Sequence, residues 1–232
     1  MKTYILTLAF LSLLFTQNSF AQKTETRKVD TFEAIKVGGS FNVTLQEGKE
    51  ESVTIEVKDE DLLEDIITEV KNGTLKIRKK NSNGWSWNSG SANITITYKN
   101  INKVSSSGSS DIVGKDVIKN EDISLSSSGS GDMDMKVDCK ELSVSLSGSS
   151  DIELEGDADD FSISLSGSAD VEALELQTKT CEIHISGSGD VDVSVSEALE
   201  AYVSGSGNVR YKGNPERQRF KSSGSGDIEK IN

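Results

Sequence analysis

Cysteine occurs twice, at Cys139 and Cys181, and histidine once, at His184, so nothing in the chain has the ligand spacing of a zinc site. Beyond the first residues, no segment is apolar enough to cross a bilayer, and the chain is not expected to span a membrane. Basic residues are outnumbered, with 25 Lys and Arg against 38 Asp and Glu for a net charge of −13. Phosphate binding needs clustered cations that release counterions, so this balance excludes nucleic acid as a partner. The acidic excess by itself is a device for solubility.

The first residues read as a signal peptide. Lys2 precedes an apolar run from Ile5 to Phe15, and a polar stretch ends in Ser19-Phe20-Ala21, which places small residues ahead of a cleavage point at residue 21. No Cys follows the run to take a lipid. Residues 1–21 are therefore set apart as a leader, and residues 22–232 are expected to form a single exported domain in the periplasm, at the outer cell surface or in the medium.

The rest of the chain repeats. Gly108, Gly129, Gly148, Gly167, Gly187, Gly205 and Gly224 each sit in an S-G-S block, at intervals of 21, 19, 19, 20, 18 and 19 residues. A degenerate copy reads Gly39-Ser40-Phe41-Asn42-Val43. Three residues after each Gly comes an acidic or amide residue: Asp111, Asp132, Asp151, Asp170, Asp190, Asn208 and Asp227. Around these blocks the pattern has period two. Leu142, Val144 and Leu146 alternate with Ser, as do Phe161, Ile163 and Leu165; after the acidic position the alternation resumes with Met133, Met135 and Val137. Such alternation describes strands with one buried and one wet face.

Two architectures fit a two-strand unit of this length, a meander of hairpins and a β-solenoid. Identical corners favour the solenoid, because stacked coils need equivalent corners and each coil covers the open edge of its neighbour. The register places Cys181 in the inward column of Leu142 and Phe161, two coils from Cys139 and about 10 Å away at the usual strand spacing, which is beyond disulfide reach. For the acidic column two readings compete. Calcium between coils would offset the repulsion of stacked carboxylates, and the repeat superficially resembles calcium-binding G-G-x-G-x-D motifs. An Asx-turn, each carboxylate accepting N–H bonds from its own corner, also explains Asn42 and Asn208 and is preferred.

Residues 29–100 lack the period but remain strand-rich, and are expected to cap the stack formed by 101–232. Val53 to Val57 and Asn93 to Tyr98 alternate, and Asn72-Gly73 marks a tight hairpin. Between Asp59 and Val70, Leu62, Leu63, Ile66 and Ile67 follow an acidic turn with helical spacing, predicting one short helix. The segment Asn81–Ser91 holds both tryptophans, Trp85 and Trp87. They are the candidate binding residues, suited to stack on sugar rings or a protein partner; the alternative is packing against the solenoid flank.

The leader, the segment from Val37 to Leu45, the block from Asp61 to Ile77 and the serial S-G-S-G-D units together resemble bacterial auto-transporter adhesins with a head GIN domain. The resemblance covers nearly all of the chain after the leader. It implies an all-β, right-handed parallel β-helix-like solenoid with coils of about 19–20 residues, a strand-rich N-terminal cap with one short helix, and a place in the cell envelope. It supplies no catalytic residues.

Three functions are weighed. The first is a non-catalytic binding protein, an adhesin in the broad sense, presenting a flat Ser-rich face with Glu182, His184, Glu200 and Tyr202 to an extracellular glycan or protein surface. The second is a structural or accessory envelope protein without its own ligand. The third is a polysaccharide-processing enzyme, which would need paired carboxylates or a bound cation beside a base in a place where the repeat breaks. The expectation is no catalysis, no resident metal and no cofactor, with Ca2+ in the Asp column as the exception to test. Oligomeric state is not fixed by the sequence.

Overall fold

A computed structural model describes residues 23–80 and 91–232. In chain order the elements are β1 (Lys23–Lys28), β2 (Ala34–Gly39), β3 (Phe41–Glu47), β4 (Ser52–Val57), α1 (Asp61–Asp65), β5 (Ile66–Lys71), β6 (Thr74–Lys79), β7 (Ala92–Tyr98) and β8 (Lys103–Gly108). There follow β9 (Asp111–Gly129), β10 (Met133–Gly148), β11 (Ile152–Gly167), β12 (Val171–Gly187), β13 (Val191–Gly205), β14 (Val209–Lys212), β15 (Arg217–Gly224) and β16 (Ile228–Lys230). They form a β-solenoid of about 7 turns.

From β9 onward every coil pairs in parallel with the next. Leu142 lies opposite Phe161, Phe161 opposite Cys181, and Cys181 opposite Leu199, so each inward column runs through consecutive coils. The two strands expected per repeat are one long bent strand. In β10 the buried positions are Met133, Met135 and Val137, then Leu142, Val144 and Leu146. The change of parity between Val137 and Leu142 is the bend. Cys139 pairs with Ala158, not with Cys181, and both thiols are free.

The S-G-S corner follows from how closely the coils approach. Gly148 has φ +126°, and a Cβ there would lie 2.3 Å from the carbonyl oxygen of Gly129 in the coil before. Only glycine both adopts this conformation and lets the backbones close. The next residue, Ser149, donates its N–H to that same oxygen at 2.9 Å.

The acidic residue completes the corner, though not as an Asx-turn within one coil. The N–H of Asp151 donates to Oδ1 of Asp132 at 3.1 Å, that of Asp170 to Asp151 at 3.3 Å, and that of Asp190 to Asp170 at 2.7 Å. Each carboxylate thus accepts from the equivalent residue of the following coil. At the corner the ladder of backbone pairs is interrupted, and this side chain satisfies the donor that the interruption leaves. Asn208 continues the column, accepting from Asp227 N–H at 3.1 Å through its own Oδ1. An amide oxygen serves as well as a carboxylate, hence the mixture of Asp and Asn.

The N-terminal segment enters the stack out of sequence order. Strands β2 and β3 form a coil that lies between β6 and β7 on one side and β8 and β9 on the other. Beyond β7, β4 and then β1 add antiparallel, and β5 adds antiparallel to β6. Arg27 ties the two flanks together, donating to the carbonyls of Leu63 at 2.8 Å and Ile66 at 2.6 Å beside α1. The helix is shorter than the apolar spacing predicts. It ends at Asp65, and Ile66 and Ile67 begin the hairpin strand β5, because β-branched residues leading into the Asn72-Gly73 turn favour extended pairing. Asn72 and Gly73 both have positive φ, 51° and 69°, as that turn requires.

At the opposite end, β15 pairs only with β13 and is exposed throughout. Arg217, Arg219 and Lys221 on this edge strand discourage the addition of another. Among the described residues, no helix is long and apolar enough to cross a membrane.

Candidate binding face

Because inward and outward positions alternate in a fixed register, one flank of the stack becomes a sheet of aligned serines. Ser105, Ser126, Ser145 and Ser164 form one outward column. Two residues further along each strand, Ser107, Ser128, Ser147 and Ser166 form a second. Neither column contains a charge over this span, although the whole chain carries −13. The hydroxyls bond partly to one another, as Ser126 does to Ser105 at 2.8 Å.

The columns change chemistry at both ends. Toward the cap, Ser105 is followed by Lys36 and then Lys76, with Arg78 beside them. Toward the last coil, Ser164 is followed by His184, Tyr202 and Lys221, while the neighbouring column runs from Ser162 through Glu182 and Glu200 to Arg219. The rings of His184 and Tyr202 are parallel, with 7° between planes and centroids 4.8 Å apart. Glu182 meets His184 Nε2 at 3.0 Å, Tyr202 donates its hydroxyl to Glu200 at 2.8 Å, and the Arg219 guanidinium lies 5.7 Å from the Tyr202 ring. The bond to Glu200 holds the Tyr202 phenol above its ordinary range, so it remains a donor.

Two grooves run along this face. One, of about 500 Å³, lies beside Glu141, Asp160, Glu182 and Glu200 and is closed at its end by Arg217 and Arg219. The other, of about 580 Å³, runs between the two serine columns from Ser145 to Lys221, passing His184 and Tyr202, and contains no carboxylate.

In the sequence Glu182, His184, Glu200 and Tyr202 read as occasional interruptions of the serine face, and the structure brings the four together. Arg219, Lys221 and Lys36 do not stand out in the sequence, although each occupies the same offset from its S-G-S or G-G-S glycine as the residues it joins. Trp85 and Trp87 lie outside the described residues; the segment that holds them connects β6 to β7. The Asp column draws together no group of three or more acidic, Cys or His side chains suited to a metal among the described residues.

A coil stack with these corners defines a known class, and residues 31–215 match the family described as "Putative auto-transporter adhesin, head GIN domain". The chain belongs to that family. Its fold is similar to that of a "putative adhesin" from Bacteroides fragilis, with 27% identity, a TM-score of 0.83, and coverage of 91% of this chain and 97% of the other. A "Putative lipid binding protein" from Parabacteroides distasonis is 25% identical with a TM-score of 0.72, over 91% of this chain and 97% of that one. A "putative adhesin" from Parabacteroides merdae shares the fold at 23% identity and a TM-score of 0.70, over 91% and 96%. No protein of curated function matches the chain.

Proposed function

We propose that this chain is an exported, non-catalytic binding protein of the cell envelope, which lays its serine face against an extended extracellular glycan or protein surface. The observation that carries this reading is the uncharged double column of hydroxyls on an otherwise acidic protein, ending in a cluster of aromatic and charged side chains. Loss of the leader 1–21 on export accompanies it. Trp85 and Trp87 enter as sequence-based candidates for a second contact.

Catalysis is disfavoured on physical grounds. Glu182 and Glu200 are the carboxylates nearest the ring pair, and their side chains are 56% and 47% exposed. Each is engaged by a neighbouring ring, Glu182 by His184 and Glu200 by the Tyr202 hydroxyl, and the two do not face one another across a cleft as a catalytic pair would. A lipid ligand, by analogy with the Parabacteroides neighbour, would have to reach Leu146, Leu165, Ile185 and Val203 behind the serine hydroxyls, and each of these is at most 4% exposed.

Protease shaving of intact cells, followed by retention of the mature protein on immobilised glycans and cell-surface extracts, tests the proposal. The protein should be cleaved from outside, and Ser145→Glu should abolish retention while Glu153→Lys on another flank leaves it intact. Complete protection behind the outer membrane, or equal retention of both variants, would refute it.

A further inference from the structure

We infer that His184 and Tyr202, with Ser145 and Ser164 and with Glu182 at the ring edge beside the groove, form a subsite for one pyranose ring of a neutral glycan chain lying in the groove from Ser145 to Lys221. This inference rests on the binding role proposed for the serine face and names the ligand class that the face accepts.

The geometry is that of a step. Ser145 and Ser164 are short, and in the next coil the same column rises into an imidazole ring. Tyr202 backs that ring from the far side in a parallel stack, and Arg219 backs Tyr202 in turn. One face of His184 therefore remains directed along the groove, over Ser164. The C–H face of a sugar packs on such a ring, as an apolar surface against a π face. Its hydroxyls at the rim then need polar partners. Glu182 accepts at the ring edge through a carboxylate that also holds His184 in place at 3.0 Å, and the serine hydroxyls both donate and accept.

Charge and polarity select the class. Serine hydroxyls alternate along the groove with the buried Leu146, Leu165, Ile185 and Val203, and the large hydrophobic side chains that are exposed among the described residues, Val113, Val117 and Phe220, lie outside it. Protein interfaces bury aromatic and aliphatic anchors at their centre, whereas the aliphatic residues of this groove, Leu146, Leu165, Ile185 and Val203, are each at most 4% exposed and present little side chain to a partner protein. An acidic glycan would meet Glu182 and Glu200 beside the ring. A neutral polyol avoids both difficulties. From Ser145 to Lys221 the groove crosses four coil spacings, about 19 Å, which accommodates a short stretch of an extended chain.

His184 is the sole histidine, so its imidazole proton signals in an untagged protein are unambiguous reporters. The experiment combines an array of neutral β-linked gluco-, manno- and xylo-hexasaccharides, their uronate counterparts and peptides with saturation transfer from the His184 ring to any bound sugar. A neutral hexasaccharide should bind, with transfer from His184 to sugar C–H protons. His184→Ala and Tyr202→Ala should each weaken it about tenfold, the loss of one aromatic contact, while Glu153→Ala changes nothing. Neutral-sugar binding that His184→Ala leaves intact but Ser145→Glu removes would overturn the subsite and preserve the face. Binding of uronates or peptides only would overturn the ligand class. No binding anywhere on the array, by a protein that is shaved from the cell surface and retained on surface extracts, would overturn the glycan inference alone; failure of that retention as well would bring down the binding role with it.

Discussion

The inter-coil carboxylate ladder makes a sharp prediction at Asp151. Its Oδ1 accepts the N–H of Asp170, and its charge stands one coil from Asp132 and one from Asp170. Replacing it with Ala removes the acceptor and the charge together, whereas Asn removes the charge and keeps an oxygen in place. The difference between the two variants isolates the hydrogen bond, about 1 kcal/mol for a bond that solvent reaches. At the size of this protein that corresponds to about 2–4 °C in Tm, with Asn above Ala. Against wild type the charge enters. Like charges at this spacing cost roughly 1 kcal/mol per pair in water, less in salt, so Asn should match or exceed wild type at pH 7.

The pH dependence provides an independent check. Partial burial raises the Asp151 carboxyl; the bond from Asp170 N–H opposes this, and the charges of Asp132 and Asp170 add to it. A carboxyl with a raised folded value contributes stability that is present below its unfolded value of about 3.9 and lost as pH rises through the folded one. Any advantage of Asp151→Asn over wild type should therefore be largest near neutrality and vanish near pH 3. Thermal melts of the three proteins at both pH values in 0.15 M salt measure all of this. Equal melts for Asn and Ala would refute the ladder. A rise in wild-type Tm with millimolar calcium, lost in Asp151→Asn, would replace it with a metal site, since a ligand of the folded state must stabilise it.

Two further outcomes follow from burial. Phe161 is 2% exposed, and Phe161→Ala should cost about 3–5 kcal/mol, whereas Ser162→Ala on the outer face should stay within about 0.5 kcal/mol; equal melts would overturn the inward and outward assignment. Burial raises both thiols, Cys139 to about 11 and Cys181 further, so maleimide in native buffer should modify the half-buried Cys139 slowly and Cys181 only after denaturation. Rapid native labelling at Cys181 would show that the column opens.

Much of the fold was legible because the solenoid writes its constraints at fixed intervals. The Gly column marks where backbones nearly touch, and the period-two runs around Leu142 and Phe161 mark the core. The direction of the Asp bond was not legible. A column of Asp and Asn reads the same whether each side chain accepts from its own corner or from the next coil, and only the position of the Asp170 N–H decides. The extent of α1 was misread for a related reason: Leu62, Leu63, Ile66 and Ile67 satisfy helical spacing, yet the turn at Asn72-Gly73 draws the two isoleucines into a hairpin. Nor does the sequence show that β2 and β3 insert beside β8 and β9, since strand order is a tertiary property. On the serine face, the His184 and Tyr202 column was visible as a local break in the repeat. Arg219 and Lys221 escaped because the apolar alternation of the last coil fades around them.

The distribution of these constraints explains how one backbone can carry a site without bending to it. Between β11 and β12 the inward pairs Ile163 with Ile183 and Leu165 with Ile185 keep their register while the outward residue between them changes from Ser164 to His184. The glycine and acidic corners are unchanged across the same step. Inward and corner positions are committed to stacking, because a larger group there meets the neighbouring coil. Outward positions meet only solvent and the same column one coil away, where a substitution alters the face and leaves the strand in place. Recognition chemistry can therefore accumulate in those columns, and the coils β12, β13 and β15 are where serine gives way to rings, carboxylates and cations. The regularity of β9 to β11 supplies a flat approach to that cluster, and the change of side-chain height between Ser164 and His184 turns a periodic surface into a defined position along it.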